Sequence, residues 1–385
     1  MRKEDMTVDE LIADIHACLQ TPEPSAEAPV PPPKKKPALR KALVALGTAL
    51  ALLLETVLLL AGGLYGVMYV LAKGPSPTAR DMFVRSVRET SAIGFLANLF
   101  FSEDEIQRIT GGGKLPDYVE SNSELIQIPT IAPDDTKPTS PVTDDWGLTD
   151  EDGDGIIIQE VAGEGYRGYM MVVLDPSRVI MGSVPQSYGA QGSTVEQYVR
   201  HFDAVAGING GGFDDPNGKG NGSVPDSLTV FDGQIYYAEK GCRRGFAGFD
   251  SRHILHVGYF TAEDIRSKDI QYGASYGPVL VVNGEAMGPD ILDSGVNPRT
   301  AIGQRSDGAV LLLVIDGRQV SSMGATFTDL AEIFLSYGAV NACNLDGGSS
   351  SMMWYQDKYL NSSASVIGIR PIPTSFVVLR EGETA

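Results

Sequence analysis

An apolar run near the N-terminus constrains this chain more than any other feature. Residues 42–72 are almost wholly apolar over about 30 positions. About 20 apolar residues let a helix cross the hydrocarbon core of a bilayer, so this run spans it with tilt to spare. Glu55 is the one acid inside it, and either contacts a partner helix or is a single acid that an over-long span tolerates. We predict one transmembrane helix over residues 42–72, in contact with the lipid bilayer.

The charges on either side of this run predict its orientation. Only Lys73 follows it closely, whereas five basic residues precede it: Lys34, Lys35, Lys36, Arg40 and Lys41. Because cytoplasmic flanks are enriched in Lys and Arg, we expect a cytoplasmic N-terminus and an extracytoplasmic C-terminal part. A cleaved signal peptide is a poorer explanation, since the run is too long and begins too far from Met1. The predicted location is the cell membrane, as a single-pass protein.

Composition shifts divide the chain into further segments. Residues 1–41 contain a short amphipathic helix at 8–15 and a Pro-rich tract, which predicts a largely disordered cytoplasmic tail. Residues 73–110 have the spacing of amphipathic helices, with Ser102 and Glu105 placed as a capping box, and either lie on the membrane surface or form a stalk. Residues 111–149 are rich in Gly, Pro, Thr, Ser and Asp, which is typical of a linker. The folded domain is predicted at residues 150–385.

Charge and cysteine content exclude some kinds of function. A formal net charge of −19 offers no basic stripe for phosphates of nucleic acid, so we expect no nucleic-acid partner. Cys18, Cys242 and Cys343 are too few and too scattered for a disulfide framework or a zinc site. A bridge between Cys242 and Cys343 stays open, although two free thiols are favoured.

An acidic stretch at residues 150–155 resembles the start of a calcium-binding loop, because Asp alternates with other residues before Gly. The bidentate acid of such a loop would have to be at position 161, which is Val161. We therefore predict an acidic turn that precedes a strand.

From residue 156 onward, short β-type runs alternate with turns. They lie at 156–161, 169–174, 179–181, 229–231, 234–237, 279–282, 300–304 and 309–315. Two helices are predicted among them, one opened by a capping box of Ser193 and Glu196 and one at 328–337, with Gly338 as its C′ residue. These elements predict an α+β domain with a large mixed β-sheet and a few packed helices, preceded by the transmembrane helix.

The sequence Asn-Leu-Asp-Gly-Gly-Ser-Ser-Ser at residues 344–351 lies between two apolar runs. This pattern predicts a buried strand, a tight loop and a second strand. Paired glycines let a ligand approach the main chain, so Asp346 and the following amides can hold a sugar or a phosphate. A plain hairpin turn explains Asp-Gly equally well when this segment is considered alone.

Two other segments repeat the pattern of a strand followed by polar residues and glycine. Residues 208–214 read Ile-Asn-Gly-Gly-Gly-Phe-Asp, without the Gly-Lys-Ser/Thr of a Walker loop, and lead into a long acidic loop at 214–226 that can reshape substrate choice. Residues 297–303 read Asn-Pro-Arg-Thr-Ala-Ile-Gly and lead to a strand that ends at Asp316. Arg299 at the strand start can grip a phosphate with its planar fork, or form a surface salt bridge.

Taken together and in this order, the three motifs resemble the phosphodiester glycosidases related to N-acetylglucosamine-1-phosphodiester alpha-N-acetylglucosaminidase. The resemblance extends over residues 156–379. It implies hydrolysis of a sugar-1-phosphodiester at the anomeric carbon. Asp346 or Asp316 is then the nucleophile or general base, and Arg299 neutralises the phosphate. The predicted substrate-binding residues are Asn209, Gly210, Gly211, Phe213, Thr300, Gly347, Gly348 and Ser349.

The predicted substrates are glycosyl-phosphate linkages in bacterial cell-envelope polysaccharide or teichoic-acid-like polymers. No cofactor is certain, and a divalent cation held by Asp316 and Asp346 remains open, although their spacing matches no recognised ligand set. The alternative function is a non-catalytic envelope module that binds a glycan or organises a complex. A binding module has no need of a strand-end acid beside an arginine, which favours the enzyme.

Overall fold

The computed structural model describes residues 9, 12–13, 37–111, 119–129, 141–216, 220–237, 244–365 and 368–382. Two compact units are present, Met1–Gly66 and Val67–Ala385. Most of the predicted helix at residues 8–15, and most of the predicted tail 1–41, lie outside the described residues.

Seven α-helices occur in the described part of the chain. They are α1 (Pro37–Lys73), α2 (Pro77–Arg88), α3 (Glu103–Thr110), α4 (Val195–His201), α5 (Ala262–Ser267), α6 (Pro289–Leu292) and α7 (Phe327–Ser336). Helix α1 contains the predicted apolar run, and its stretch Arg40–Lys73 is long and apolar enough to cross a membrane, judged by length and composition. The position and apolar character of this helix are therefore as expected.

Most strands of the second unit form three sheets. Sheet I has the order β13 (Glu285–Ala286), β12 (Val279–Val282), β16 (Ala339–Asn344), β14 (Arg299–Arg305), β15 (Val310–Ile315), β4 (Tyr166–Val173) and β3 (Ile156–Gly163). Sheet II has the order β18 (Lys358–Tyr359), β17 (Met353–Tyr355), β6 (Ala206–Asn209), β19 (Thr374–Val378) and β5 (Val179–Ser183). Sheet III has the order β10 (Leu255–Gly258), β9 (Gly245–Asp250), β11 (Ile270–Tyr276), β7 (Thr229–Phe231) and β8 (Gln234–Tyr237).

A separate two-stranded hairpin, β1 (Val142–Thr143) with β2 (Thr149–Asp150), precedes sheet I. The predicted α+β class is confirmed. The β-structure is divided among several sheets, and every pairing between the strands named above is antiparallel, so the large sheet is not mixed in strand direction.

The sequence of β15 shows why sheet I is covered on both faces. Its apolar residues are buried without exception, and successive side chains point to opposite faces of a strand. Val310, Leu312 and Val314 enter a core to which all three sheets contribute. Leu311, Leu313 and Ile315 enter a second core on the other face, together with buried side chains of α7. A strand that is apolar on both faces can only lie between two layers.

The helices that cover the sheets are capped by local sequence. Thr326 and Asp329 form a capping box at α7, and Gly338 follows the helix at φ +76°, as predicted for a C′ residue. At α4 the capping box is formed by Thr194 and Gln197, not by Ser193 and Glu196. Thr194 is the last extended residue, so its hydroxyl, rather than that of Ser193, reaches the third amide of the helix.

Parts of the predicted linker 111–149 pack on the domain. Ile126 is buried against Ile254 and Val340, and Asp144 pairs at 2.7 Å with Arg305, whose side chain is fully buried. These stretches are therefore domain surface and not only a spacer; residues 112–118 and 130–140 lie outside the described part.

Residues 74–111, called here the α2–α3 segment, also belong to the compact unit Val67–Ala385. Helices α2 and α3 and the 3-10 turn Gly94–Leu99 enclose a small core that includes Val84, Ala97 and Ile106. The capping box of Ser102 and Glu105 forms as predicted. This segment is thus a packed element of the second unit.

Candidate active site

The loop after β16 is held between sheets I and II by main-chain and amide contacts. The Asn209 side-chain amide donates to the Asp346 carbonyl oxygen at 2.6 Å, and the Asp346 N–H donates to the Gly210 carbonyl at 3.1 Å. On the other side the Leu345 N–H donates to the Thr300 carbonyl at 2.8 Å. The three sequence motifs therefore meet at one place, where they fix the backbone of Asp346.

Gly347 and Gly348 are required by the close approach of this loop to the start of β14. A Cβ on Gly347 would lie 2.8 Å from the carbonyl oxygen of Pro298, which is too close for any side chain. Gly348 takes φ +63° while its N–H donates to the same carbonyl at 2.9 Å. The tight crossing turns the Asp346 side chain and the following amides toward a cavity.

This cavity has a volume of about 330 Å³, within the range of small-molecule sites. Its charged lining consists of four arginines and four acids: Arg244, Arg299, Arg318, Arg370, Glu89, Asp215, Asp226 and Asp346. Its other lining residues are Thr90, Ser91, Ala92, Phe213, Tyr276, Asn297, Phe327, Gly347, Gly348, Ser349 and Ser350. Although the chain carries a net charge of −19, the arginines make this cavity a place where an anion can bind.

The structure brings six of the predicted site residues to this cavity. These are Asp346, Arg299, Phe213, Gly347, Gly348 and Ser349. The other five do not line it: Asn209, Gly210, Gly211, Thr300 and Asp316. The Thr300 hydroxyl donates to the Asn209 side-chain oxygen at 2.8 Å, and the Gly211 N–H donates to the Thr374 hydroxyl at 3.0 Å. Asn209, Gly210 and Thr300 therefore support the loop from behind, whereas Gly211 contacts Thr374 of β19.

Asp316, the other carboxyl group predicted for catalysis, does not line this cavity. Its carboxylate accepts hydrogen bonds from the Asn361 side chain at 3.2 Å and from the Ser362 N–H at 3.1 Å. Burial raises the pKa of Asp316, which is only 8% exposed. These contacts tie the loop at residues 361–362 to the end of β15. Arg318, two residues further along, does line the cavity.

The Asp346 carboxyl group lines the cavity and has a raised pKa. Burial raises the pKa of Asp346 to about 7, and the nearby charge of Asp226 adds to the increase. A hydrogen bond from Ser350, the positive charge of Arg370 and a 2.9 Å hydrogen bond from the Gly347 N–H act in the opposite direction. Asp346 therefore changes its protonation near neutral pH, as acid–base and nucleophilic carboxyl groups of active sites do.

Arg299 is anchored on several sides. Its Nε donates to the Ala325 carbonyl at 3.0 Å, its guanidinium lies 4.1 Å from the centre of the Phe327 ring, and one terminal nitrogen donates to the Gly295 carbonyl at 2.6 Å. The same nitrogen donates to the Glu89 carboxylate at 2.7 Å. Arg299 is 4% exposed, so it is a buried, paired cation at the cavity wall and not a surface salt bridge.

Arg318 differs from the other arginines of the cavity. Its guanidinium donates to the hydroxyl of Thr90 at 2.8 Å and to the side-chain oxygen of Asn297 at 3.1 Å. Burial of the guanidinium group and the neighbouring charge of Arg299 lower the pKa of Arg318. Within the described part of the chain no carboxylate forms a salt bridge with it. Its positive charge is therefore available to an anion.

Arg370 and Asp215 form another part of the cavity lining. Arg370 holds both oxygens of Asp215, at 2.7 and 2.9 Å, and also donates to the Ser349 hydroxyl at 3.2 Å. Its guanidinium lies 5.1 Å from the centre of the Phe213 ring. Burial acts to raise the pKa of Asp215, but the hydrogen bonds from Arg370 and from the Gly220 N–H, together with the charge of Arg370, outweigh burial, so the pKa is lowered. This pair fixes the position of Ser349.

Asp226 and Tyr276 complete the cavity. Asp226 pairs with Arg244 at 3.3 Å, and a Cβ on Gly212 would lie 2.9 Å from its carboxylate oxygens, so Gly212 makes room for this acid. Burial raises the pKa of Tyr276, and the nearby charge of Asp346 adds to the increase, so its hydroxyl remains protonated.

Some of the cavity residues that were not predicted as site residues lie in segments that the sequence analysis had singled out. Asp215 and Asp226 belong to the long acidic loop that was expected to affect substrate choice. Asn297 lies inside the third motif, and Arg318 comes two residues after Asp316. Arg370 follows no strand-end glycine pattern, so no comparable feature distinguishes it. Glu89 lies in the α2–α3 segment, which was placed outside the domain.

Asp316 and Asp346 do not share the cavity, so the structure does not assemble the cation site suggested for them. Instead Asp150, Asp152 and Asp154 lie close enough together that they could hold a metal ion. The Asp150 carboxylate already accepts hydrogen bonds from the N–H groups of Gly153 and Gly155, at 2.8 and 2.9 Å. This is the acidic turn that was predicted before β3.

Comparison with known proteins shows which family part of this chain resembles. Residues 202–379 match the phosphodiester glycosidase family. The bovine enzyme N-acetylglucosamine-1-phosphodiester alpha-N-acetylglucosaminidase is 27% identical over 177 residues, which cover 41% of this chain and 32% of that protein. The SPbeta prophage-derived uncharacterized protein YomE of Bacillus subtilis (strain 168) is 40% identical over 88 residues, 23% of this chain and 14% of that protein. The chain thus spans about a third or less of these curated relatives.

The fold is also found in a solved relative. The catalytic domain of zebrafish N-acetylglucosamine-1-phosphodiester alpha-N-acetylglucosaminidase, solved in a form auto-inhibited by its pro-peptide, superposes with a TM-score of 0.50. The match covers 59% of this chain and 82% of that domain at 20% identity, which establishes a shared fold. In sequence, residues 202–379 of this chain are similar to the phosphodiester glycosidase family, and the resemblance predicted from the three motifs is confirmed.

Proposed function

We propose that this protein hydrolyses sugar-1-phosphodiesters at the anomeric carbon. One observation carries the proposal: Asp346, whose pKa is raised to about 7, lines one cavity together with Arg299, Arg318 and Arg370. The similarity to the phosphodiester glycosidase family and to the bovine enzyme supports this reaction. A carboxyl group beside several arginines suits a substrate that carries a phosphate next to the reacting carbon.

The phosphate of the substrate is expected at Arg318 and Arg299. Arg318 has its charge available, and a guanidinium fork binds two phosphate oxygens at once. The sugar then lies toward Asp346, where the Ser349 hydroxyl and the main chain of Gly347 and Gly348 face the cavity. Asn209 and Thr300 contribute by fixing the Asp346 backbone, as positioning residues.

In its ionised form Asp346 is the nucleophile or the general base for water. The new bond joins oxygen to the anomeric carbon, and the bond from that carbon to the phosphate oxygen breaks. The phosphate leaves as a monoester whose charge the arginines stabilise, so a strong general acid is unnecessary. If Asp346 acts as the base, the proton of the attacking water passes to it and then to solvent. If Asp346 acts as the nucleophile, its carboxylate first bonds to the anomeric carbon, and water then hydrolyses this ester, which releases the free sugar, restores the Asp346 carboxylate and gives a proton to solvent.

The resting structure places a carboxylate of the protein itself on Arg299. Glu89 accepts from Arg299 at 2.7 Å, from the Asn297 side chain at 3.0 Å and from the Gly295 N–H at 2.8 Å. Three donors around one carboxylate form an anion site, so a substrate phosphate that uses Arg299 competes with Glu89.

We further propose that α1 anchors the protein in a cell membrane, with a cytoplasmic N-terminus and the cavity on the outer side. The length and composition of Arg40–Lys73 and the basic residues before residue 42 support this topology. Substrates of an extracytoplasmic enzyme of this type are glycosyl-phosphate linkages of the cell envelope.

The reaction is tested with the full chain in detergent and the methyl phosphodiester of N-acetylglucosamine, by measuring free sugar. Wild type is expected to release sugar, and Asp346→Asn and Arg318→Ala to lose at least about a hundredfold in kcat/KM, the order of loss known for groups at reacting centres. Asp316→Asn is the matched control. Asp316 follows an apolar strand and precedes glycine, as Asp346 does, but it does not line the cavity. Binding of the diester to wild type without turnover would instead support the glycan-binding module.

A further inference from the structure

The α2–α3 segment contacts the last turn of the apolar helix. Ala72 of α1 is 1% exposed and shares the small core with Val84 and Ile106. The Lys73 ammonium lies 4.4 Å from the centre of the Phe101 ring. The end of α1 and the α2–α3 segment are therefore packed together within the unit Val67–Ala385.

The same segment also forms part of the cavity wall. Besides the contact of Glu89 with Arg299, the Thr90 hydroxyl accepts from Arg318 at 2.8 Å, and the Ser86 hydroxyl accepts from the Val296 N–H at 2.9 Å. Arg85 adds a salt bridge to Asp293 at 2.6 Å. One short element thus contacts both the end of the membrane-type helix and the site.

The chain limits how far the cavity can lie from the end of α1. Between Lys73 and Glu89 most residues belong to α2, a helix of 12 residues that rises about 18 Å. Even with the remaining residues fully extended, Glu89 lies within about 35 Å of Lys73. If α1 crosses the bilayer, this chain length limits how far the cavity can lie from the end of the membrane-spanning helix.

Exposed apolar side chains occur on this segment and beside the cavity. On the 3-10 turn Phe95 is 62% exposed and Leu99 is 56% exposed. The loop that begins with Arg318, which contacts Thr90, exposes Val320 fully and Met323 by 62%. Aromatic and aliphatic residues next to a membrane helix are typical of surfaces that lie in the interfacial region.

We propose that the substrate is a membrane lipid: a glycosyl phosphodiester whose second ester carries a long apolar chain in the bilayer. The proposal rests on the proposed hydrolysis and on the membrane span of α1. Water forms a bond to the anomeric carbon, the bond from that carbon to the phosphate oxygen breaks, and a proton passes to solvent. Free sugar is released, and a lipid phosphate monoester remains in the membrane. A site held near the surface meets such a substrate at a high effective concentration.

The test uses the full chain reconstituted in phosphatidylglycerol vesicles with two diesters of N-acetylglucosamine 1-phosphate, one hexadecyl and one ethyl. Wild type is expected to cleave the hexadecyl diester at least about tenfold faster at equal total concentration. A variant combines Ala72→Asp with a Gly/Ser linker of about 40 residues after Gly74, which lets the domain move about 35 Å from the membrane. Its preference for the hexadecyl diester should fall at least about fivefold, while ethyl diester turnover stays unchanged. The same linker after Gly382 is the control.

The outcomes separate the two proposals. Cleavage of the ethyl diester without any preference for the hexadecyl diester, or an unchanged preference in the linker variant, would overturn the lipid substrate and leave the hydrolase intact. Failure of wild type on both diesters would overturn the hydrolase and the lipid substrate with it.

A second measurement addresses the membrane contact without turnover. Trp at position 95, in Phe95→Trp, should be quenched by brominated lipids well beyond the background of the parent chain. Leu335→Trp is the control, because Leu335 is also exposed but lies at the end of α7 opposite to Phe327 of the cavity. Equal quenching of the two variants would contradict a site held at the bilayer surface.

Discussion

At the scale of single residues, the Asp346 carboxyl is expected to set the pH dependence of turnover. The proposed step needs the ionised carboxylate, so kcat/KM should fall as pH decreases through about 7. Since the charge of Asp226 raises this pKa, Asp226→Asn should move the acid limb of the profile to lower pH. A pH–rate profile of both proteins checks this, with Asp357→Asn as an exposed control. A limb that stays in place in Asp226→Asn would show that another group titrates.

The same carboxyl should also cost stability at neutral pH. In the folded protein the pKa of Asp346 is about 7, above the ordinary value of about 4, so the native state binds the extra proton between these two pH values. Stability due to this group is therefore greatest at low pH and is lost as pH rises toward 7. Asp346→Asn should raise the free energy of unfolding at pH 8 by about 1–4 kcal/mol and leave it unchanged near pH 4. Thermal unfolding at both pH values measures this, and a variant that is less stable than wild type at pH 8 contradicts it.

Asp346 and Asp316 show how far the site could be predicted from sequence. Each follows an apolar strand of sheet I and precedes glycine, so the local pattern is the same. Asp346 faces the cavity because the loop of Asn209 and Gly210 from sheet II holds its backbone, whereas Asp316 is turned toward Asn361. These are contacts between distant parts of the chain, which a local pattern does not contain. The motifs identified the region, and tertiary contacts determine which carboxyl group lines the cavity.

At the scale of elements, the contact between α2 and β14 can be tested through Glu89. Glu89→Gln keeps the shape of the side chain but removes its charge, so Arg299 becomes available to the substrate phosphate. The KM of the methyl diester should fall at least about threefold. The free energy of unfolding should fall by about 1–2 kcal/mol because the buried Arg299 cation loses its charged partner, a loss that solvent in the cavity partly compensates. Steady-state kinetics and thermal unfolding measure the two effects.

Glu103→Gln is the matched control for this change. Glu103 pairs with Arg88 at 3.2 Å in the same segment, but its side chain is 52% exposed and does not line the cavity. Exposed pairs of this kind contribute little, so KM and stability should stay close to the wild-type values. An unchanged KM in Glu89→Gln as well would show that the phosphate does not use Arg299.

The elements differ in how well the sequence predicted them. Strands β7, β8 and β12 have the predicted bounds, since short apolar runs between turn residues define their ends. Helices α2 and α3 were predicted from the spacing of their apolar residues. Their packing against the cavity was not predicted. Their apolar faces fit a membrane surface, a stalk or a protein core equally well, and only the polar contacts of Ser86, Glu89 and Thr90 with the domain distinguish the last of these.

At the scale of the whole molecule, the division of the strands into three sheets could not be predicted from the sequence. The apolar strands predicted a β-rich α+β domain, and this class is what the structure shows. Strand β6, for example, pairs with β17 and β19, whose residues lie about 150 positions or more further along the chain. Local sequence patterns do not contain such long-range pairings. The formal charge of −19 likewise describes the surface as a whole and conceals the arginines that surround the cavity.

The last prediction concerns the topology of the full chain. If the basic residues before residue 42 keep the N-terminus in the cytoplasm, Cys18 and the domain lie on opposite sides of the membrane. In a Cys242→Ser background, a membrane-impermeant maleimide should label the Glu285→Cys variant in intact cells, because Glu285 is exposed on β13, and should label Cys18 only after permeabilisation. Cys343 is buried and should not react in the folded protein. Labelling of Cys18 in intact cells, with Glu285→Cys protected, would mean the opposite orientation and a substrate inside the cell.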